Sequence, residues 1–119
     1  MISLNDLRID NWVQIDDLPP ERITLDTFCT LKQFPATISK FNPIQITTEV
    51  LALTDFKSDN IKTISYSKGK IQVWYAASTK KYMLWLIDKD IFFEKEVSYL
   101  HQLQNLYFFL TDQELTVNL

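Results

Sequence analysis

The chain has 119 residues, of which 46% are hydrophobic and 23% charged, a composition typical of a globular protein with one domain. Three Trp, five Tyr and eight Phe exclude disorder over most of that length. The net charge of −3 argues against a dedicated nucleic-acid-binding protein, and the apolar runs are too short to cross a membrane.

Cys29 is the only cysteine, so an internal disulfide cannot form and a reducing compartment is expected. The first ten residues lack the basic start and the long apolar run of a signal peptide. We therefore expect a cytoplasmic protein, in which Cys29 is buried as a small hydrophobic side chain between Phe28 and Leu31.

The N-terminal third predicts two strands joined by a turn. Bulky aromatic and β-branched residues indicate a first strand over 11–16, and the acids and prolines of 16–20 indicate the turn. A second strand is predicted over 22–31, because Ile23 and Leu25 fall on one face at a period of two.

The middle of the chain predicts one short helix. Residues 34–43 contain two prolines and are expected to be irregular. Thr47 is the expected N-cap of a helix that ends near Phe56. Glu49 lies in its first turn, where the helix dipole favours a negative charge.

Residues 61–87 predict a three-stranded antiparallel meander. Two-residue loops at Lys68-Gly69 and Ser78-Thr79 define its two registers, and the first of them places Tyr66 opposite Ile71. Both registers place the same side chains on one face: Ile64, Tyr66, Ile71, Val73, Tyr75, Tyr82, Leu84 and Leu86. This agreement between independent turns supports the meander. A further strand is predicted over 91–94.

The other face of the meander suggests an alternative function. It carries Trp74 and Trp85, and Lys62 and Lys81 accompany them in a segment that has no acid. Proteins that bind single-stranded nucleic acid combine a basic groove with aromatic platforms. The competing interpretation is that the lysines are solvated and the tryptophans fill a core. These four residues are therefore the candidate surface for the alternative function, nucleic-acid binding.

A C-terminal helix is predicted over 98–110, with Ser98 as its N-cap. The arc facing the sheet consists of Tyr99, Leu100, Leu103, Leu106, Tyr107 and Leu110. The other side carries His101, Asn105, Phe108 and Phe109. Because a solvated helix face does not need two aromatic residues, either a second layer of the domain or a partner protein covers this candidate interaction surface. Residues 111–114 read as a capping box and predict one more turn.

The chain lacks the residue patterns of the common catalytic and cofactor sites. His101 is the only histidine, and its neighbours on the helix are amides rather than acids. Gly69 is the only glycine, which excludes the glycine-rich phosphate loops. We therefore predict no catalytic or metal-binding residue, no cofactor and no enzyme activity.

Residues 99–115, YLHQLQNLYFFLTDQEL, resemble the C-terminal HQLQNLYF-type motif of an uncharacterised family of short bacterial proteins that are often associated with phage or mobile elements. LRIDNWV at 7–13 and PIQITTEVL at 43–51 resemble two further stretches of that family. Its members carry glycine where this chain has Asp10, so the presence of a tight turn there stays open. The family has no known activity, and the resemblance implies a single compact intracellular domain without assigned functional residues.

Together these patterns predict an α+β fold over residues 1–119. The fold would be a curved, mainly antiparallel sheet of about five or six strands, with a short middle helix and a C-terminal helix packed on it. Closure of the sheet into a barrel stays open. The expected function is that of a small non-enzymatic binding or assembly protein, which contacts a protein partner or a second copy of itself. Nucleic-acid binding through 61–87 is the alternative.

Overall fold

The computed structural model describes residues 2–59, 64–88 and 91–119, and its fold is α+β as predicted. Its helices are α1 (Leu25–Gln33), α2 (Thr48–Ala52) and α3 (Leu100–Thr111). Its strands are β1 (Trp12–Ile15), β2 (Glu21–Arg22), β3 (Phe41–Asn42), β4 (Lys57–Ser58), β5 (Ser65–Lys68), β6 (Ile71–Ala76), β7 (Lys81–Asp88) and β8 (Ile91–Val97). Two short 3-10 helices span Leu4–Asp6 and Pro35–Lys40.

The strands form two antiparallel sheets rather than the single sheet expected from the sequence. The small sheet has the order β2-β1-β3, and the large sheet has the order β4-β5-β6-β7-β8. Both are curved, and across the described strands neither closes into a barrel. In the large sheet each strand pairs with its neighbour in sequence, which short connections allow only between antiparallel strands.

The large sheet confirms one predicted register and corrects the other. β6 and β7 pair with Val73 opposite Leu84, as predicted. β5 and β6 pair with Tyr66 opposite Val73 rather than two residues earlier, because the loop is Gly69-Lys70. Gly69 has a φ of +61°, which the first loop position of such a hairpin favours. A shift of two residues leaves each side chain on its predicted face. The predicted start of the meander, residues 61–63, lies outside the described residues.

The inner face of the large sheet forms the main core with α3. Val73 and Leu84 are fully buried and pack in one cluster with Leu103 and Tyr107 of α3. Ile64, predicted to be buried with them, exposes 38% of its surface because it lies just before β5, at the end of the paired region. Burial of apolar surface therefore joins α3 to the sheet.

A second core lies in the N-terminal region. It consists of Ile2, Leu7, Val13, Ile23, Leu31 and Phe41. Leu31 is the buried residue that α1 contributes to it. Most other side chains of α1 are exposed, so one face of this helix is left open to solvent.

The second predicted strand is wrong beyond Arg22, where β2 ends and α1 soon follows. Oγ1 of Thr24 accepts a hydrogen bond from the backbone N–H of Thr27 at 3.3 Å, which is an N-cap. Asp26 in the first turn and Lys32 in the last turn complement the helix dipole. These local signals outweigh the weak period of two that predicted a strand.

Two side chains expected in the core are exposed because of this helix. Leu25 exposes 65% of its surface, and Cys29 is also exposed rather than buried. On a strand, Leu25 would share the buried face of Ile23. On α1, both Leu25 and Cys29 point away from the side that carries Leu31.

The remaining boundaries of the middle segment also differ from the prediction. Residues 34–43, expected to be irregular, contain the second 3-10 helix and β3. Oγ1 of Thr47 accepts from the backbone N–H of Val50 at 3.1 Å, so the predicted N-cap of α2 is confirmed. That helix ends at Ala52 rather than near Phe56.

The C-terminal helix begins later than predicted, with Tyr99 rather than Ser98 at the N-cap position. Oε1 of Gln102 accepts the backbone N–H groups of both Ser98 and Tyr99, at 3.1 and 3.3 Å. Asp112 follows the helix with a left-handed φ of 58°, which ends it. The further turn predicted over 111–114 is therefore absent from the structure.

Asp10 lies in a tight turn, which the sequence left open because the family that the chain resembles has glycine at this position. Its φ is 74°, a value that aspartate tolerates better than most residues other than glycine. Its carboxylate pairs with Arg22 at 2.7 Å, and its backbone N–H donates to the carbonyl of Ile23 at 2.8 Å. The turn thus joins the start of β1 to the end of β2.

Candidate functional site

Asn105 of the predicted interaction surface joins α3 to the N-terminal segment. Its Nδ2 donates to the backbone oxygen of Asp6 at 2.9 Å. Its Oδ1 accepts from Nε of Arg8 at 3.1 Å and from Nδ2 of the buried Asn11 at 2.8 Å. Its amide is therefore engaged within the chain rather than presented to a partner.

Phe108 is also covered by the N-terminal segment. The guanidinium carbon of Arg8 lies 4.4 Å from the centre of the Phe108 ring, in a cation–π arrangement. The same guanidinium donates two hydrogen bonds to the carboxylate of Glu114. For Phe108 the structure therefore shows internal packing, one of the two alternatives for this surface.

Gln104 completes this contact and is a residue that sequence reasoning missed. It exposes only 1% of its surface. Its Oε1 accepts the backbone N–H of Trp12 at 2.9 Å, and its Nε2 donates to the backbone oxygen of Asp10 at 2.9 Å. The signal in the sequence is that the apolar residues Leu100, Tyr107 and Phe108 surround Gln104 at i−4, i+3 and i+4 on the helix, although its hydrogen-bond partners lie far away along the chain.

His101 is buried, and its ring stacks against Tyr99 at 6.0 Å between centres. Burial lowers the pKa of His101, and the negative charge of Asp6 opposes this shift. Lys95 and Glu96 line the adjoining cavity of about 380 Å³. Within the described residues Nδ1 of His101 has no hydrogen-bond partner, and no group of three His, Cys, Asp or Glu residues could hold a metal ion. The imidazole is thus buried, in surroundings that favour its neutral form.

Phe109 differs from the other three residues of the predicted interaction surface. Phe109 exposes 80% of its surface to solvent. A shallow groove of about 480 Å³ separates it from Asn5 and Leu7 of the N-terminal segment. The structure thus separates the four predicted residues into three that pack internally and one that remains available for contacts.

The alternative surface on the large sheet brings its two tryptophans together. The rings of Trp74 and Trp85 are half-buried, 4.9 Å apart between centres and inclined by 62°. Lys81 is paired with Glu96 at 3.2 Å. Lys62 lies outside the described residues.

Carboxylates accompany this tryptophan pair. Glu94 lies directly opposite Trp85 in the pairing of β7 with β8. On the other side, the carboxylate of Asp59 accepts hydrogen bonds from the hydroxyls of Ser65 and Ser67. Negative side chains beside the aromatic rings disfavour a phosphate backbone.

A larger groove, which sequence reasoning missed, lies between α1 and the residues before β1. Its volume is about 560 Å³. Most of the side chains that line it are apolar, and Lys32 adds a positive charge. These residues are Leu7, Ile9, Leu25, Phe28, Cys29 and Lys32. Leu25 and Ile9 are exposed on its two walls. Arg8 and Glu114, paired with each other, supply a polar rim.

The signal for this groove is present in the sequence. Leu25, Phe28, Cys29 and Lys32 have the i, i+3, i+4, i+7 spacing of one helix face, which we call the α1 stripe. The strand prediction for 22–31 concealed the stripe, because alternate residues of a strand point to opposite faces.

Comparison of the chain with models of known protein families, with curated proteins and with solved structures finds no match. Across residues 2–59, 64–88 and 91–119, the helices are too short or too polar to span a membrane. Fold and surface define an α+β protein with an exposed apolar groove beside α1.

Proposed function

We propose that this is a small non-enzymatic binding protein that contacts a protein partner through the α1 stripe. The observation that carries the proposal is the exposure of Leu25 and Ile9 on the two walls of a groove of about 560 Å³. Apolar side chains clustered in a groove with a polar rim are typical of protein interaction sites. Covering one such side chain contributes roughly 1.5–3 kcal/mol.

The form of the groove favours a helix as the bound element. The α1 stripe is a ridge, and residues 7–10 form a second wall beside it. An amphipathic helix inserts apolar side chains into grooves of this kind. Arg8 and Glu114 at the rim would then meet its polar flank.

We further propose a cytoplasmic protein associated with phage or mobile elements. The exposed thiol of Cys29 supports the first point, because an accessible unpaired cysteine is best maintained in a reducing compartment. The resemblance of residues 99–115 supports the second. The genes adjacent to this one test the association, and phage structural or replication genes are the expected neighbours.

Nucleic-acid binding through Trp74, Trp85 and Lys81 has weaker support. Lys81 is already paired with Glu96, and Glu94 lies beside Trp85. A titration with a single-stranded oligonucleotide at two salt concentrations tests this alternative. We expect no salt-dependent binding.

Photo-crosslinking in living cells tests the protein-binding proposal. A photoreactive amino acid replaces Leu25, and a matched variant carries it in place of Leu18, which is exposed but does not line the groove. We expect discrete protein adducts from position 25 and none from position 18. Equal labelling from both positions, or none from position 25, would show the proposal to be wrong.

A further inference from the structure

A polar cavity lies at the N-terminal end of α3. Its volume is about 380 Å³, and the described residues that line it are different from those that line the groove beside α1. Small ligands occupy cavities of roughly 300–1,000 Å³. Among the described residues of the lining Leu106 alone is apolar, and the others are Asn5, Asp6, Lys95, Glu96, His101, Gln102 and Asn105. The cavity therefore suits a small polar molecule.

His101 is the buried polar group of this wall that the fold leaves without a partner. It exposes 3% of its surface, and its Nδ1 has no hydrogen-bond partner among the described residues. Its neighbours Gln102 and Asn105 are engaged, the first with the backbone N–H groups of 98 and 99 and the second with the backbone oxygen of Asp6. Because unpaired buried polar groups are costly and rare, the imidazole is the group that a bound molecule would complete.

Two opposite charges line the cavity without pairing with each other. Within the described part of the chain, neither the carboxylate of Asp6 nor the ammonium of Lys95 has an ion-pair partner. Glu96, the other charged residue of the lining, is paired with Lys81 at 3.2 Å. The pKa of His101 is lowered by burial and raised by the charge of Asp6, so Asp6 lies near His101. The cavity thus separates one negative group from one positive group.

From this arrangement we propose that the cavity binds a small polar α-amino acid. The ammonium of the ligand pairs with Asp6 and donates to the imidazole of His101, and its carboxylate pairs with Lys95. The first turn of α3 favours that carboxylate, because the positive end of the helix dipole lies there and the turn has no acidic residue. A simple anion would leave Asp6 unpaired, and a simple cation would leave Lys95 unpaired. A zwitterion leaves neither.

Nuclear magnetic resonance of the full chain tests the ligand class. His101 is the only histidine, so its imidazole C–H signals are identified directly. Titration with serine at neutral pH should shift these signals to a saturating value. Ethanolamine lacks the carboxylate and 3-hydroxypropionate lacks the ammonium, so each should bind about tenfold more weakly or worse. Leucine should also bind more weakly, because its side chain is large and apolar.

Asp6→Asn and Lys95→Met test the two charges of the cavity. Each should weaken the binding of serine about tenfold or more, because a charge-assisted contact is lost. The backbone oxygen of Asp6, which accepts from Asn105, is unaltered by the first substitution. Asp17→Asn and Lys57→Met are the matched controls at exposed positions outside the cavity, and the affinity should stay the same. Thermal unfolding of each variant verifies that the fold is retained.

Several results would overturn the inference. One is the absence of any shift with serine at up to roughly 10 mM, ten times a weak millimolar Kd. Binding of either analogue or of leucine as tightly as serine would also overturn it, as would an unchanged affinity in Asp6→Asn. The protein-binding proposal is tested separately, because the groove beside α1 shares none of its described lining residues with this cavity.

Discussion

The two faces of α3 contact their neighbours through different chemistry. Leu103 and Tyr107 face the large sheet and pack with its apolar side chains. Gln104 and Asn105 face the N-terminal region and contact it through amide hydrogen bonds. The first contact is non-directional and scales with buried area, whereas the second requires particular donors and acceptors. The difference suggests that the large sheet supplies most of the stability, while the amides determine where the N-terminal region docks.

Leu84→Ala tests the apolar side of this comparison and should have the largest effect. Leu84 is fully buried between the sheet and α3. Its truncation leaves a cavity and should lower the free energy of unfolding by roughly 2–5 kcal/mol. Urea denaturation measures the change, with Leu53→Ala at an exposed position as control. Similar losses in both variants would contradict the location of the main core.

Gln104→Leu tests the amide side. The replacement nearly keeps the side-chain volume but leaves the backbone N–H of Trp12 and the backbone oxygen of Asp10 without their partner. The free energy of unfolding should fall by roughly 1–3 kcal/mol, the cost of unpaired buried polar groups. The exposed Gln113→Leu is the matched control and should change it by less than about 0.5 kcal/mol. An unchanged stability for Gln104→Leu would mean that these hydrogen bonds do not hold the N-terminal region.

Substitution of the adjacent Phe108 and Phe109 compares a packed aromatic ring of α3 with an exposed one. Phe108→Ser removes the ring beneath Arg8 and should lower the free energy of unfolding by about 1–2 kcal/mol, with the mass in solution unchanged. Phe109→Ser should leave stability nearly the same, because its ring is exposed. Thermal unfolding and light scattering measure both. A lower mass for Phe108→Ser would instead indicate a partner surface at this ring.

The smallest expected effect is the contribution of His101 to the pH dependence of the free energy of unfolding. Burial lowers its pKa in the folded state below the ordinary value near 6.5. Between those two pKa values the unfolded chain binds more protons than the folded one. The His101 contribution is therefore complete above about pH 6.5 and decreases as the pH falls through the folded-state pKa.

His101→Gln should flatten the dependence in that window while the fold is retained. Asp6, Lys95 and Glu96 line the same cavity in both proteins, so the difference between the two curves isolates the imidazole. Urea denaturation at several pH values from 7 to about 5 measures it. Parallel curves for the two proteins would show that protonation of His101 does not oppose folding.

Local patterns in the sequence determined a large part of the main sheet. The pairing of Val73 with Leu84 follows from a period of two and a turn of known length. Thr47 begins α2 because its side chain caps a backbone N–H only three residues away. The loop between β5 and β6 was predicted one residue too early for a similar reason. Loops at Lys68-Gly69 and at Gly69-Lys70 both agree with the alternating pattern of the strands, and the preference of glycine for a positive φ at the first loop position selects the second.

Only the tertiary structure determined which side chains of the predicted interaction surface on α3 remain exposed to solvent. His101, Asn105, Phe108 and Phe109 were recognised as a group, but the partners of Asn105 are 94 to 99 residues away along the chain. The period of a helix shows which residues share a face and not which segment covers that face. The N-terminal segment covers Asn105 and Phe108, His101 is buried beside Tyr99, and Phe109 remains exposed. The exposed apolar face of α1 exists because the chain around Leu31 is helical rather than extended.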